Sequence, residues 1–390
     1  MLQFIKLESQ SQDGSMGRYR ARAEKNMRIL GKIAFFLVLL FMSCIHLGPG
    51  GKAVMFRLDA SHRGVLDTKP LRQLTGVAWK FQTGDWVFAS PVVFNGVVYV
   101  ASLDNWLYAL NLADGSLLWK FNARGKLYAT PAVTEESVFI VTEKGHFYAL
   151  DHTGAIWWHR NLNGRVFASP VVDGDVVYIG TVKGDLFALN TADGSEKWVF
   201  TAENGITSTP AIGGGKLFVG SWDGNIYALH KKTGEVVWKH KTNNWVISSP
   251  AYFDGTLFVG GLDAHFYALD ADKGTVLWTF QTRDQIRSSP AVTKEGVYFG
   301  GIDGRFYALS IKDGGELWHF DIDDQIDGSP TVVNGVVYFG GVDGRLYALD
   351  RFTGTLLWQF ETGGRIYSTP FITEGKVIFG SRDRNVYALH

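Results

Sequence analysis

The sequence almost lacks cysteine: its 390 residues include one, Cys44. A single cysteine cannot form an intramolecular disulfide, and it excludes metal sites built from several cysteines. An excess of charge is lacking too, because 38 Lys and Arg residues balance 38 Asp and Glu residues. There is therefore no global basic field that would attract nucleic acid, and a charged partner would have to meet a local patch.

Apolar and turn-forming residues are abundant instead. The sequence is 46% hydrophobic and 14% aromatic, and it contains 46 glycines and 13 tryptophans. This composition can bury a large core and supply many turns, so it argues against disorder for most of the chain.

No long hydrophobic run is present. The run IAFFLVLLFMSC, from Ile33 to Cys44, is too short to span a bilayer core as a helix, but its length is typical of the hydrophobic region of a signal peptide. Its last residues, LFMSC, resemble a bacterial lipobox, with small Ser43 before the cysteine. We therefore expect residues 1–44 to be a leader that ends at an acylated Cys44. The alternatives are a plain secretory signal and a short anchor with an unmodified cysteine.

The region around the leader leaves the start of the chain open. Met27 begins a segment that reads as a complete lipoprotein signal, so Met27 is an alternative start to Met1. Ile45 follows the cysteine, and resemblance to sorted proteobacterial lipoproteins then implies the periplasmic side of the outer membrane. A soluble periplasmic protein and one anchored at the cell membrane are the alternatives. Residues 45–75 have no clear period, which indicates a linker.

Residues 76–390 contain eight copies of one unit. Ser-Pro or Thr-Pro recurs every 39 or 40 residues, and an aromatic-Ala-Leu triplet recurs in step with it. The prolines are Pro91, Pro131, Pro170, Pro210, Pro250, Pro290, Pro330 and Pro370. One tryptophan accompanies each unit, at Trp79, Trp119, Trp158, Trp198, Trp238, Trp278, Trp318 and Trp358.

Each unit predicts four short antiparallel strands, because alternating apolar segments are separated by DG, TG or NG pairs that suit hairpin turns. Four such strands at a fixed 40-residue period predict a propeller blade, so the fold class is all-β. The proline predicts that the first strand of each blade is the innermost, since proline is tolerated on an edge strand. The chain ends after a third strand, and residues 76–81 form a fourth strand without a blade. We therefore predict an eight-bladed ring closed by pairing of these two segments.

The stretch YALDRFTGTLLWQF, from Tyr347 to Phe360, resembles the tryptophan-docking (PQQ-like) repeat of the quinoprotein propellers. In that family each tryptophan stacks between neighbouring blades, which agrees with one large flat side chain per unit. The family includes alcohol and aldose dehydrogenases that bind pyrroloquinoline quinone and calcium. It also includes a non-catalytic branch, the BamB-type lipoproteins that act in outer-membrane protein assembly.

The dehydrogenase branch implies a quinone pocket, a calcium ion held by Glu, Asn and Asp, an Asp base and, in many members, a vicinal disulfide. This sequence has no Cys-Cys pair, and its repeats carry no insertions that would build such a site. We therefore expect no catalytic, cofactor-binding or metal-binding residues. A dehydrogenase that uses pyrroloquinoline quinone and calcium is the alternative, and a periplasmic ligand or polysaccharide sensor is another.

Positions that vary among the copies lie in the loop between the fourth and first strands and in the turn between the second and third strands. Antiparallel geometry places both on the same rim of the ring. In the loop, two variable positions flank one that is always aliphatic. We therefore expect the aliphatic side chains on one face and the variable side chains on the other. We also expect Asp327 to form an ion pair with Arg287 of the preceding copy. The predicted partner-binding residues are Trp86, Trp106, Lys126, Arg165, Trp245, Arg287, Arg305, Asp327, Arg345 and Arg365.

Taken together, the sequence predicts an exported, lipid-anchored, monomeric ring that binds envelope proteins and has no catalysis of its own. By resemblance, its partners would be a β-barrel insertase and unfolded outer-membrane proteins. Its contact with the membrane would be through the lipid anchor alone.

Acylation of Cys44 can be tested with a clickable palmitate analogue in cells. The wild-type chain is expected to incorporate the analogue, and Cys44→Ser is expected to abolish incorporation because the acceptor thiol is lost. Ser43→Ala keeps a small residue before the cysteine and should still be labelled. Labelling of the Cys44→Ser variant would contradict the lipoprotein prediction.

Overall fold

The computed structural model describes residues 53–390. The predicted leader, Met27, Cys44 and residues 45–52 lie outside the described residues, so those predictions are not tested by the structure. Within residues 53–390, no helix is long and apolar enough to cross a membrane.

Eight four-stranded antiparallel blades make up the ring, and they follow one another along the chain. Three strands precede the repeats: β1 Ala53–Val54, β2 Val65–Leu66 and β3 Val77–Gln82. Blade one is formed by β4 Val92–Phe94, β5 Val97–Ala101, β6 Trp106–Asn111 and β7 Leu117–Asn122, and blade two by β8 Ala132–Thr134, β9 Val138–Val141, β10 His146–Leu150 and β11 Ile156–Asn161. Blade three is formed by β12 Val171–Asp173, β13 Val176–Gly180, β14 Asp185–Asn190 and β15 Glu196–Thr201, and blade four by β16 Ala211–Gly213, β17 Lys216–Gly220, β18 Asn225–His230 and β19 Val236–Lys241.

The remaining blades continue the same order. Blade five is formed by β20 Ala251–Phe253, β21 Thr256–Gly260, β22 His265–Asp270 and β23 Val276–Gln281, and blade six by β24 Ala291–Val292, β25 Gly296–Gly300, β26 Arg305–Ser310 and β27 Glu316–Asp321. Blade seven is formed by β28 Thr331–Val333, β29 Val336–Gly340, β30 Arg345–Asp350 and β31 Leu356–Glu361, and blade eight by β32 Phe371–Thr373, β33 Lys376–Gly380, β34 Asn385–Leu389 and β3. The eighth blade is thus completed by β3, which pairs antiparallel with β34. The predicted propeller and its closure are confirmed.

The repeated tryptophan ties each blade to the next. In every blade its indole Nε1 donates to a main-chain carbonyl at 2.7–3.2 Å, and in seven blades the acceptor lies 33 residues further along the chain. In these seven blades the indole ring also packs against a glycine in the turn between the third and fourth strands of the next blade. At Gly115, whose φ is +73°, an added Cβ would lie 2.6 Å from Trp79, so only glycine fits there.

The hydroxyl group before the repeated proline links neighbouring blades at their inner edge at seven of the eight junctions. The backbone amide of Ser90 donates to Thr130 Oγ1 and that of Thr130 to Ser169 Oγ, and the seven bonds measure 2.8–3.1 Å. The amide of Thr369 donates to Ser90 and so joins the eighth blade to the first. The Ser-Pro and Thr-Pro pairs are therefore part of the ring scaffold.

Residues 53–75, which the sequence indicated as part of a linker, instead pack against the ring. Strand β1 pairs with β8, with Ala53 opposite Thr134 at the end of β8 that leads into the turn between the first and second strands. Backbone carbonyls of residues 60–64 then accept hydrogen bonds from the first strands of blades four to seven. Strand β2 pairs in parallel with β28 and leads out towards the same turns. This segment, residues 53–66, is called the strap below; no other copy of it exists in the repeats, so periodicity could not reveal it.

The strap buries two polar side chains in the channel. Arg57 is 1% exposed and donates to the carbonyls of Pro290 and Pro330, while His62 is fully buried with Nδ1 3.3 Å from the carbonyl of Pro250. Burial lowers the pKa of Arg57 to about 9 and that of His62 to about 3, with Asp59 partly opposing the effect in both cases. His62 is therefore neutral in the folded ring over a wide pH range.

His62 should make the folded state sensitive to acid. Between its ordinary pKa of about 6.5 and its folded pKa of about 3, the unfolded chain binds a proton that the folded chain does not, so stability falls as the pH falls. The loss approaches about 1.4 kcal/mol per pH unit. His62→Gln does not titrate and should lose less stability between about pH 7.5 and about pH 5, measured by urea unfolding. His230→Gln, on an exposed residue, should behave as wild type; equal pH dependence in all three would contradict the assignment.

Candidate functional site

The rim that carries the loops between fourth and first strands and the turns between second and third strands is called the first rim. Its loops show the predicted alternation. The aliphatic position is at most 1% exposed in every copy, at Val87, Leu127, Val166, Ile206, Val246, Ile286, Ile326 and Ile366. Six of these side chains pack against the glycine that ends a second strand; a Cβ on Gly260, for example, would lie 2.3 Å from Ile286. The flanking variable side chains are left to line the rim.

Four consecutive copies place aromatic rings around the channel mouth. Phe88 stacks on Tyr367 with ring centroids 4.8 Å apart, and it meets Tyr128 edge-on at 5.7 Å. Tyr128 in turn meets Phe167 edge-on at 5.4 Å. These residues form an arc across blades eight, one, two and three, and Phe88 remains 37% exposed within it. The channel mouth is therefore apolar on one side.

Two exposed tryptophans of the predicted site lie on opposite sides of the ring. Trp86 is 41% exposed and is covered on one face by the guanidinium of Arg382, 3.5 Å from the ring centroid. Trp245 is 45% exposed and stacks on Trp222 at 5.0 Å. The first pair joins blades eight and one, and the second joins blades four and five, so the structure does not bring Trp86 and Trp245 together.

Three predicted residues lie nearer the perimeter. Trp106, Arg305 and Arg345 each begin a third strand and pair with the last residue of the fourth strand. Arg305 contacts Asp321 at 2.8 Å and Arg345 contacts Glu361 at 3.8 Å, while Trp106 is covered by the ammonium group of Lys120. Their position on the outer strands separates them from the channel mouth.

The remaining predicted residues lie along the loops. Lys126, Arg165 and Arg365 are exposed, and the guanidinium of Arg165 lies 5.0 Å from the ring centroid of Phe167. The expected ion pair between Asp327 and Arg287 is wrong: Arg287 donates to Gln285 of its own loop, and the buried Oδ1 of Asp327 has no hydrogen-bond partner among residues 53–390. Burial raises the pKa of Asp327, and the charges of Arg287 and Arg365 oppose that rise.

Similarity to known proteins covers the whole ring. A family profile described as outer membrane protein assembly factor BamB matches residues 71–201, 198–325 and 303–390. The chain belongs to this family. The comparison with curated proteins returned no match.

Solved structures share the BamB-like fold. The crystal structure of BamB from Moraxella catarrhalis is 20% identical, covers 82% of this chain and 100% of its own, and gives a TM-score of 0.70. The quinohemoprotein alcohol dehydrogenase from Comamonas testosteroni is 15% identical, covers 86% of this chain and 80% of its own, and gives 0.73. The computationally designed protein Ika8 is 15% identical, covers 81% of this chain and 99% of its own, and also gives a TM-score of 0.73. Identities this low show a shared fold; the BamB family assignment comes from the profile.

The surroundings of Asp327 on the first rim do not suit the calcium ion of the dehydrogenases. Calcium takes six to eight oxygen ligands. At the channel mouth the charged neighbours of the Asp327 carboxylate are Arg287, Arg365 and Asp324, and the two arginines repel a cation. Within residues 53–390, no cluster of three or more His, Asp or Glu side chains is arranged to hold a metal ion.

Sequence reasoning missed Trp222 and Arg382, which cover Trp245 and Trp86. Both lie in the turn between second and third strands, three residues before the start of the third strand, where most blades carry an aliphatic residue. The other residues at this position are Leu103, Glu143, Val182, Leu262, Ile302 and Val342. Three blades depart from that aliphatic pattern, with Glu143, Trp222 and Arg382, and this departure was the available signal.

The alternation in the loops predicts opposite effects for adjacent substitutions. Ile286→Ala should lower the free energy of unfolding by about 2 to 5 kcal/mol, because it removes buried methyl groups from a packed contact. Arg287→Ala, one residue away on the exposed face, should change it by less than about 0.5 kcal/mol. Chemical denaturation of both variants checks this, and similar losses for the two would contradict the alternation.

Proposed function

We propose that the protein is a binding scaffold of the cell envelope and a component of outer-membrane β-barrel protein assembly, without catalysis of its own. Membership of the BamB family supports the general role. The observation that carries the proposal is the first rim itself, where exposed Trp, Phe and Arg side chains surround the channel mouth. Trp, Tyr and Arg are the residues that most often anchor protein interfaces.

The path of the strap supports the use of this rim. Ala53 enters and Leu66 leaves beside the turns between first and second strands, which lie on the opposite rim, called the second rim. The second rim therefore already carries a segment of the chain. The backbone of the strap pairs with first strands and not with the loops or turns of the first rim, which supports the first rim as the binding face.

The proposed location is the periplasmic side of the outer membrane, with Cys44 as the lipid attachment. The lipobox-like sequence LFMSC and the family description support this location. The ring would then present its first rim to soluble domains of an insertase and to unfolded outer-membrane proteins.

The two alternatives are weaker on the structure. Arginines beside Asp327 argue against a calcium site there, and the separation of Trp86 from Trp245 argues against one polysaccharide platform that includes both. Co-purification also distinguishes them, since an assembly factor should retain a β-barrel insertase and a sensor should not.

The choice of rim can be tested by photo-crosslinking in cells. A photoreactive amino acid at Lys126, on the first rim, should crosslink to a β-barrel insertase, whereas one at Phe352, which is 65% exposed on the second rim, should not. Both sites are solvent-exposed, so the comparison controls for reactivity. Insertase crosslinks from Phe352 alone would contradict the proposed binding face, and absence of an insertase at every site would contradict the proposed function.

A further inference from the structure

Basic side chains on the first rim are concentrated in one part, which we call the aromatic–basic sector. It comprises the first-rim loops and turns of blades eight, one, two and three. Within the described chain, none of its basic residues has a carboxylate within 4.0 Å. They are Arg124, Lys126, Lys144, Arg165, Lys183, Arg365, Arg382 and Arg384.

The carboxylates of the same sector are fewer, and most are held by the scaffold. Asp104 accepts hydrogen bonds from the amide of Gly84 and the hydroxyl of Tyr108, each at 2.7 Å. Asp383 accepts the corresponding pair, and Asp85 accepts the amide of Trp86. Asp185 accepts from a threonine hydroxyl, which leaves Glu143. Eight basic residues against these five carboxylates give the sector a net positive charge.

Two lysines reveal how the sector differs from the rest of the ring. Six blades have an aspartate in the turn between second and third strands, and its carboxylate accepts a tyrosine hydroxyl four residues later. Blades two and three have Lys144 and Lys183 at this position. These two adjacent blades therefore lack the hydrogen bond between tyrosine and aspartate. Each lysine also places a positive charge on the rim where the other blades have a negative one.

The rest of the first rim, in blades four to seven, has a different balance of positive and negative charge. There Arg305 and Arg345 are paired with Asp321 and Glu361. Asp323, Asp324 and Asp327 add negative charge nearby. Among the described residues, Arg283 and Arg287 have no ion pair there either, but carboxylates outnumber basic side chains in this part of the rim. The excess of positive charge thus coincides with the aromatic arc and with Trp86.

We propose that the aromatic–basic sector binds an acidic protein segment that carries aromatic or aliphatic side chains. This inference rests on the proposed scaffold function and names the chemistry of its partner. Carboxylates of the segment pair with Arg165, Arg365 and the neighbouring lysines, and its apolar side chains pack on Trp86 and Phe88. Opposite charge steers the encounter, and burial of the rings stabilises the complex.

A protein segment fits the sector better than a nucleic acid. The rings of the arc stack and pack edge-on against one another, and Arg382 covers one face of Trp86, so few free ring faces remain for bases. Nucleic-acid-binding domains also carry a strong basic excess, whereas this chain has a net charge of zero.

The test uses the full-length protein and a fluorescein-labelled peptide of about sixteen residues in which Asp or Glu alternates with Trp or Leu. A matched peptide has Lys in place of every acidic residue, and a single-stranded DNA of similar length is a third probe. Fluorescence anisotropy should show binding of the acidic peptide and about tenfold weaker binding of the lysine peptide. Raising the salt from about 50 mM to about 500 mM should weaken binding of the acidic peptide.

Variants locate the site. The double variant Arg165→Ala/Arg365→Ala and the single variant Trp86→Ala should each weaken binding of the acidic peptide about tenfold or more. The matched control is Arg305→Ala/Arg345→Ala, which removes two paired arginines from the other part of the same rim and should leave binding unchanged. Circular dichroism confirms that each variant keeps the ring fold.

Several outcomes would overturn the inference: equal binding of the two peptides, tighter binding of DNA, no binding, or equal losses in the control variant. If any of these outcomes is found and an insertase still co-purifies, the proposed scaffold function stands and only the proposed binding role of the aromatic–basic sector is rejected. Binding located at the sector without co-purification of an insertase removes the assembly function and keeps the sector.

Discussion

The hydrogen bond from each repeated tryptophan to the following blade sets the geometry of the ring. Each bond contributes about 1 kcal/mol, and burial of each indole contributes a further 2 to 3 kcal/mol. Seven tryptophans find their acceptor 33 residues ahead, in the next blade. Trp358 donates instead to the carbonyl of Leu71, which precedes the repeats. The residues that follow the strap therefore complete the last docking contact, while β3 completes the last sheet.

This docking constrains the two rims unequally. The turns that receive the other seven tryptophans lie on the second rim, and each requires a glycine at positive φ and a correctly placed carbonyl. On the first rim, the main requirements are a buried aliphatic residue in each loop and, in six blades, an aspartate in each turn. Side chains on either side of the aliphatic residue are free to vary. The distribution of Trp86, Trp245 and the unpaired arginines follows from this freedom, and it places the candidate site on the rim that the scaffold constrains least.

The same distinction explains what could be predicted from the sequence. Features repeated in every copy, such as the strands, the tryptophans and the closure by residues 76–81, were predicted because eight examples reinforce one pattern. Features that occur once were not. The strap has no second copy, and its alternating apolar and polar residues resemble a linker until the inner edges of the blades are present to receive them. Trp222 and Arg382 replace aliphatic residues, and Asp327 lacks its expected partner because Arg287 finds a nearer acceptor in Gln285. Such choices depend on rotamers and on neighbouring blades, and spacing does not encode them.

The strap also narrows the mode by which a partner is recognised. The first strand of each blade is an edge, and an edge presents unpaired amides and carbonyls that would otherwise bind another chain. In blades two, four, five, six and seven the strap accepts or donates hydrogen bonds along these edges, and Arg57 and His62 bind carbonyls of the prolines. Burying Arg57 without an ion pair is costly, and its contacts with two carbonyls offset part of that cost. Because the strap already pairs with these inner edges, strand addition in the channel is disfavoured, and recognition at its mouth depends on the side chains of the first rim.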